Sequence, residues 1–119
     1  MNDARWPWVV LIPRRQGARE LHDLAPGDLH MLIGEAAATG CALRGLTGAG
    51  KINTAALGNI VEQLHVHIVA RRPGDANWPG PVWGCEDPTM YEESTRGQLV
   101  ERLRAALAGG AATSKENGP

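Results

Sequence analysis

The chain has 119 residues, the length of one domain, and its 12 basic and 13 acidic residues leave a formal net charge of −1. This balance does not indicate a nucleic-acid or membrane-surface partner. No stretch resembles a secretory signal peptide, and no apolar run reaches the roughly 20 residues that a membrane span needs. A cytoplasmic enzyme or binding protein is therefore the default expectation.

The first predicted element is a strand. Residues 9–13, Val-Val-Leu-Ile-Pro, form a nearly continuous apolar run, which is typical of a central strand buried on both faces. Pro13 would end its ladder of backbone hydrogen bonds, because proline has no N–H to donate.

A long helix is predicted next. Pro26 suits a first helical position, and apolar or small residues recur after it at helical spacing: Leu29, Leu32, Ile33, Ala36, Ala37, Gly40 and Cys41. The small residues would let this helix lie close to a sheet. Cys41 is expected in the core rather than in a disulfide with Cys85. Gly45 is expected to break the helix.

Two further strands are predicted around a glycine turn. Residues 51–57 form the first, Gly58-Asn59 a tight turn, and residues 63–71, Gln-Leu-His-Val-His-Ile-Val-Ala-Arg, the second. This last run alternates, so that Leu64, Val66 and Ile68 take one face and Gln63, His65 and His67 take the other. The apolar face predicts a core contact, while two imidazoles and an amide favour a ligand, a metal or water. Strands joined by a short turn must be antiparallel.

The C-terminal part begins with residues 78–84, Trp-Pro-Gly-Pro-Val-Trp-Gly, which cannot form regular structure. They are expected to lie extended on the domain or on a partner. A second helix is predicted over residues 95–108, ended by Gly109-Gly110. The fold class is therefore α+β, with one domain over residues 1–108 and a disordered tail over residues 109–119.

The ordered set of these features resembles the histidine triad (HIT) family of nucleotidyl hydrolases and transferases. The likeness is carried by a strand asparagine, a glycine loop and the alternating run: Asn53, Gly58-Asn59, and Gln63-x-His65-x-His67 with Arg71 behind. The family signature has three alternating histidines, and this chain has Gln63 in place of the first. The resemblance implies an antiparallel sheet with one long helix packed on it, and a homodimer. Family members commonly carry two strands ahead of the segment matching residues 9–13. Either the start of this chain has been assigned too far downstream, or these strands are missing here.

The resemblance also implies a role for each polar residue of the site. His65 would attack the α-phosphate and form a nucleotidyl-histidine intermediate, because an imidazole is neutral near pH 7 and can leave again. The backbone carbonyl of Gln63 would hold the other ring nitrogen of His65. His67 would bond a phosphate oxygen or support the leaving group. Nucleotide or phosphate contacts are expected from Gln63, Asn53, Gly58, Asn59 and, at the ribose, Asn2.

The implied activity is cleavage of a phosphoanhydride or phosphoramidate at the α-phosphate of a purine nucleotide, such as a dinucleoside polyphosphate. No cofactor is expected, although a divalent cation could accompany a polyphosphate. Gln63, and Ile60 at the place of a hydroxyl residue, favour an alternative, a non-catalytic nucleotide-binding module. His65 and His67 could instead bind a metal, but no third ligand has an obvious spacing, so no metal site is predicted. Four arginines could steer a polyphosphate, but a solvated surface role is favoured for them: Arg14, Arg15, Arg71 and Arg72.

Overall fold

The computed structural model describes residues 1–116, and its elements follow the predicted order. Along these residues lie β1 (Trp8–Leu11), a short 3₁₀ helix (Leu21–Asp23), α1 (Pro26–Thr47), β2 (Lys51–Ala55), β3 (Val66–Arg71) and α2 (Glu93–Glu116). The strands form one antiparallel sheet, so the predicted α+β class is confirmed.

The sheet has the order β1-β3-β2, and β3 is its centre. All six residues of β3 are buried, because both of its edges are paired and both of its faces are covered. The four residues of β1 are only half-buried, and the strand pairs on one side only. The prediction that the first strand is central was therefore wrong. The apolar composition of β1 reflects packing on both of its faces, not a position at the centre of the sheet.

The connection between β2 and β3 is a loop over residues 56–65, not the predicted tight turn at Gly58-Asn59. The ladder ends where Ala55 faces His67, so His65 lies just ahead of β3. At Gly58 the loop folds closely on itself, because a Cβ there would lie 3.0 Å from the carbonyl oxygen of Val61.

Helix α1 covers one face of the sheet. Its buried residues are Leu32, Ala36, Thr39, Gly40 and Leu43, and they pack against Val66, Ile68 and Ala70 of β3. The helix continues past Gly45, where a break was predicted, and ends at Gly48, whose φ is 69°. Its buried stripe is rotated from the predicted one toward Thr39 and Leu43. Cys41 is consequently exposed, and its predicted place in the core was wrong. The predicted close approach is confirmed, since a Cβ on Gly40 would lie 3.3 Å from Ile52 Cγ2.

A second apolar cluster covers the opposite face of the sheet. Trp6, Val69 and Val82 form its buried part, and Trp8, Trp83 and Cys85 pack around them. Residues 78–84 therefore lie on the domain, which confirms one of the two predicted placements.

Helix α2 contacts α1, and its Leu103 packs against the main core. It continues through Gly109-Gly110 to Glu116, so the predicted stop at this glycine pair was wrong. The disordered tail over residues 109–119 stays a prediction. Alanines flank the pair, and their high helix propensity offsets a glycine cost of about 1 kcal/mol each. Residues 117–119 lie outside the described part. Within that part, no helix combines the length and apolarity needed to cross a membrane.

Candidate active site

The candidate site lies on the sheet face opposite α1. In the strand register Asn53 and Trp8 both face Val69, and His67 is two residues away from it along β3. Because strand side chains alternate, Asn53, Trp8 and His67 project from the same face. His65 joins them from the end of the loop, and its ring centroid lies 5.0 Å from that of His67. The predicted grouping of both histidines with Asn53 on one face therefore matches the structure.

The His65 ring is held in a defined orientation by the backbone. Its Nδ1 lies 2.7 Å from the carbonyl oxygen of Gln63, which is the predicted contact. A carbonyl only accepts, so Nδ1 must carry the proton and the Nε2 lone pair stays free. The ring is half-buried. A Cβ on Gly58 would lie 4.0 Å from His65 Cε1, so the 56–65 loop runs along the edge of the ring.

The His67 ring is far more enclosed than that of His65, with 7% of the residue exposed. The indole Nε1–H of Trp8 donates to its Nδ1 at 3.0 Å. The rings of Trp8 and Trp83 each lie 5.5 Å from the imidazole, centroid to centroid. Burial lowers the pKa of His67 below its ordinary value, neighbouring His65 lowers it further, and a hydrogen bond with the backbone of Leu57 opposes both effects. This site therefore favours a neutral imidazole.

Asn53 is oriented by a buried arginine. Arg71 is 1% exposed, and its guanidinium forms two hydrogen bonds of 2.8 Å with the carboxylate of Asp75. A third nitrogen donates to Asn53 Oδ1 at 3.1 Å and to the Gly80 carbonyl at 2.8 Å. The expected surface role of Arg71 was wrong. Because Oδ1 of Asn53 accepts from Arg71, its amide NH₂ remains available as a donor.

The side chains of the remaining predicted residues are exposed or are bonded to other parts of the backbone. The side chain of Gln63 donates to the carbonyl of Arg15 at 3.2 Å, and Asn59 is exposed on the loop. Oδ1 of Asn2 accepts a hydrogen bond from the Tyr91 N–H at 3.0 Å, which ties the start of the chain to the segment before α2. Their contacts with a nucleotide stay predictions.

Trp8 is the site residue that sequence reasoning missed. Its place two residues before Val10 puts both on one face of β1, and Val10 faces His67 in the register. The sequence shows that Trp8 and Val10 share a face of the strand. It does not show that β1 pairs with β3, because this pairing joins residues far apart in the chain.

No group of three or more histidine, cysteine, aspartate or glutamate residues in the described part could hold a metal ion. Among those residues, His65 and His67 have no third histidine, cysteine, aspartate or glutamate beside them.

Comparison with known proteins gives a consistent assignment. A family model described as the HIT domain matches residues 1–74. The fold is similar to a histidine triad protein from Sinorhizobium meliloti, with a TM-score of 0.87 and 47% identity, over 89% of this chain and 78% of that one.

Two further crystal structures have the same TM-score of 0.87. A histidine triad protein from Bradyrhizobium japonicum is 43% identical over 90% of this chain and 80% of its own. One from Marinobacter aquaeolei is 42% identical over 92% and 80%. No curated protein matches the chain. With more than half of its residues matched by the family model and these relatives above 40% identity, the chain belongs to the histidine triad family.

Proposed function

We propose that this protein is a nucleotidyl hydrolase that binds a purine nucleotide and cleaves a phosphoanhydride or phosphoramidate at its α-phosphate. One observation carries the proposal, the 2.7 Å contact between His65 Nδ1 and the Gln63 carbonyl. It leaves the Nε2 lone pair of a half-buried imidazole free to act as a nucleophile.

The reaction would run in two steps. In the first, the Nε2 lone pair attacks the α-phosphorus, an N–P bond forms, and the bond to the leaving oxygen or nitrogen breaks. The ring then carries a positive charge, which the Gln63 carbonyl stabilises through Nδ1–H. In the second step water attacks the phosphorus and releases a proton to solvent, the N–P bond breaks with its electron pair returning to Nε2, and the ring becomes neutral again.

Two donors would act on the phosphate during these steps. The amide NH₂ of Asn53 is held toward this face by Arg71, and a neutral His67 has its own N–H to donate. Preorganised donors of this kind stabilise charge that develops on phosphate oxygens. Dinucleoside polyphosphates and nucleoside phosphoramidates are the substrate classes that family resemblance suggests. The chemistry requires no cofactor, and a divalent cation would enter only with a polyphosphate.

The second candidate function is a non-catalytic nucleotide-binding module. It is favoured by Gln63, because its side-chain amide cannot titrate and donates a hydrogen bond to the Arg15 carbonyl. It is also favoured by Ile60, which is 95% exposed on the loop and offers no hydroxyl donor.

The substitution His65→Ala separates the two functions. If His65 is the nucleophile, turnover of dinucleoside polyphosphates and nucleoside phosphoramidates should fall by several orders of magnitude, because the covalent route is lost. Nucleotide binding, measured by thermal shift and calorimetry, should persist through Asn53 and His67. The matched control is His22→Ala, which removes an exposed imidazole from the 3₁₀ helix and should leave both properties unchanged.

Mass spectrometry of wild-type protein quenched in alkaline denaturant, which preserves the N–P bond of a nucleotidyl-histidine, supplies the second readout. A nucleotidyl adduct on His65 during turnover would support the hydrolase. Turnover that survives His65→Ala would overturn the mechanism. Tight nucleotide binding by the parent without turnover of any nucleotide tried, at any pH, would favour the binding module.

A further inference from the structure

The contact between Trp8 and His67 defines the protonation of the second imidazole. An indole Nε1–H can donate but cannot accept a hydrogen bond. At 3.0 Å from Trp8 Nε1, the Nδ1 atom of His67 must therefore be the acceptor and carry no proton. The proton of the neutral ring then lies on Nε2.

The same contact opposes a charged ring. An imidazolium carries a proton on both nitrogens, so protonation of His67 would set an Nδ1–H against the indole N–H and break the hydrogen bond. Burial adds to this cost, because the ring is 7% exposed and packed between two indoles.

We propose that Trp8 is a positioning residue for His67, holding its imidazole in the Nε2–H tautomer so that it serves the site as a neutral hydrogen-bond donor and not as a cationic acid. The consequence for the reaction rests on the proposed function, but the tautomer itself does not. His67 would thus bond a phosphate oxygen or the leaving atom through Nε2–H, in place of its hydrogen bond with the backbone of Leu57. The proton for the leaving group would come from elsewhere, such as water.

The other groups around His67 agree with a neutral ring. His65 faces it at 5.0 Å between centroids, and the α-amino group of Met1, bonded to the Trp8 carbonyl, also disfavours a second positive charge. The Cys85 thiol lies in the same cluster and donates weakly to the Pro81 carbonyl. A hydrogen bond with the backbone of Leu57 favours a proton on the ring, and because Nδ1 accepts from Trp8, that proton is the one on Nε2.

Nitrogen-15 NMR of the histidine rings in the intact wild-type protein tests the tautomer directly. The long-range proton–nitrogen pattern of His67 should show a proton on Nε2 and none on Nδ1. A scalar coupling should connect Trp8 Nε1 with His67 Nδ1 across the hydrogen bond. A proton found on Nδ1 would overturn the proposal without any variant being made.

Two matched variants test the role of the indole N–H. Trp8→Phe keeps an aromatic ring but removes the donor, so His67 should become a tautomer mixture and titrate at a higher pH than in the wild type. Trp83→Phe removes a buried N–H that has no hydrogen-bond partner among the described residues, from a ring equally close to His67. It should keep the wild-type tautomer and titration. Equal behaviour of His67 in both variants and the wild type would contradict the proposal.

Activity gives a separate readout. Trp8→Phe should lower kcat by about 10–100-fold with a smaller change in KM, and it should move the acidic limb of the pH profile, whereas Trp83→Phe should not move that limb. If the protein shows no turnover at all, the proposed hydrolase function is wrong. The NMR measurement then still decides, independently of activity, whether Trp8 sets the tautomer of His67. A merely structural role of Trp8 would lower stability without changing the protonation of His67.

Discussion

At position 63, the backbone and the side chain make two independent contacts. The backbone carbonyl of Gln63 holds His65, and its side chain bonds the carbonyl of Arg15. Since the first contact does not depend on the side chain, substitution at this position can change the chemistry without releasing the nucleophile.

Gln63→His should therefore move the protein toward three titratable rings. We expect the pH–rate profile to gain a further ionisation, because an imidazole would stand beside the leaving atom. The partly exposed bond to Arg15 would be lost at a cost of about 1 kcal/mol or less. The control is Gln16→His, which adds an imidazole at an exposed position outside the site. A profile of Gln63→His that coincides with those of the parent and the control would contradict the expectation.

His67 should also make the free energy of unfolding depend on pH. Its pKa in the folded protein lies below the ordinary value of 6.5, chiefly because of burial. Below pH 6.5 the unfolded chain then binds more protons than the folded one, so the free energy of unfolding should fall as the pH is lowered through this range. Urea unfolding at several pH values should show a shallower fall for His67→Gln. The exposed His22→Gln should keep the parent slope, and an unchanged slope in His67→Gln would refute the assignment.

At the scale of elements, the ion pair between β3 and the following turn differs from a surface ion pair in its burial, and burial determines how much an ion pair matters for stability. Arg71–Asp75 and Arg104–Glu101 have nearly equal lengths, 2.8 and 2.7 Å. The side chains of the first pair are 1% and 12% exposed, and those of the second are both 70% exposed. The buried pair also holds Asn53 and the Gly80 carbonyl, so it joins β3 to the segment that carries Trp83.

Asp75→Asn should lower the free energy of unfolding by about 3–5 kcal/mol, because it leaves the guanidinium buried without its countercharge. The matched control Glu101→Gln, which removes the exposed pair, should cost less than about 1 kcal/mol. Both values follow from urea unfolding. Similar losses in the two variants would show that the buried network contributes nothing beyond a surface pair.

The local elements were predictable where one signal dominated. Strict alternation assigned both faces of β3, and the spacing after Pro26 located α1. The order of the sheet was not predictable, because pairing of β1 with β3 joins distant residues. The indole bonded to His67 and the arginine bonded to Asn53 were missed for the same reason. The loop over residues 56–65 was missed because Gly58-Asn59 has the composition of a tight turn.

At the scale of the whole molecule, the edge of β2 that no strand of the described residues pairs with adjoins an open groove of about 440 Å³. Apolar and small side chains of α1 and β2 line it, among them Ile33, Ala37, Cys41 and Ile52. We propose that a second copy of the chain covers this groove and that the protein is a homodimer, since an unpaired strand edge beside an apolar surface invites pairing.

Ile33→Asp should then shift sedimentation at micromolar concentration from dimer to monomer. Ile33 is 53% exposed in the single chain, and a charge there would have to be desolvated in the interface. Val100→Asp on α2, at a residue 46% exposed and outside the groove, is the control and should remain dimeric. A parent that sediments as a monomer would contradict the proposal.

The alternation of β3 also limits how the gene of this protein can change length. Val66, Ile68 and Ala70 serve the core under α1, while His67, Val69 and Arg71 serve the opposite face. One codon inserted within β3 would reverse these assignments downstream of the insertion and bring a guanidinium or an imidazole against the helix. One codon inserted among residues 57–61, which are exposed, leaves the strand register intact. Natural length variation near this site should therefore concentrate in the loop and spare the strand.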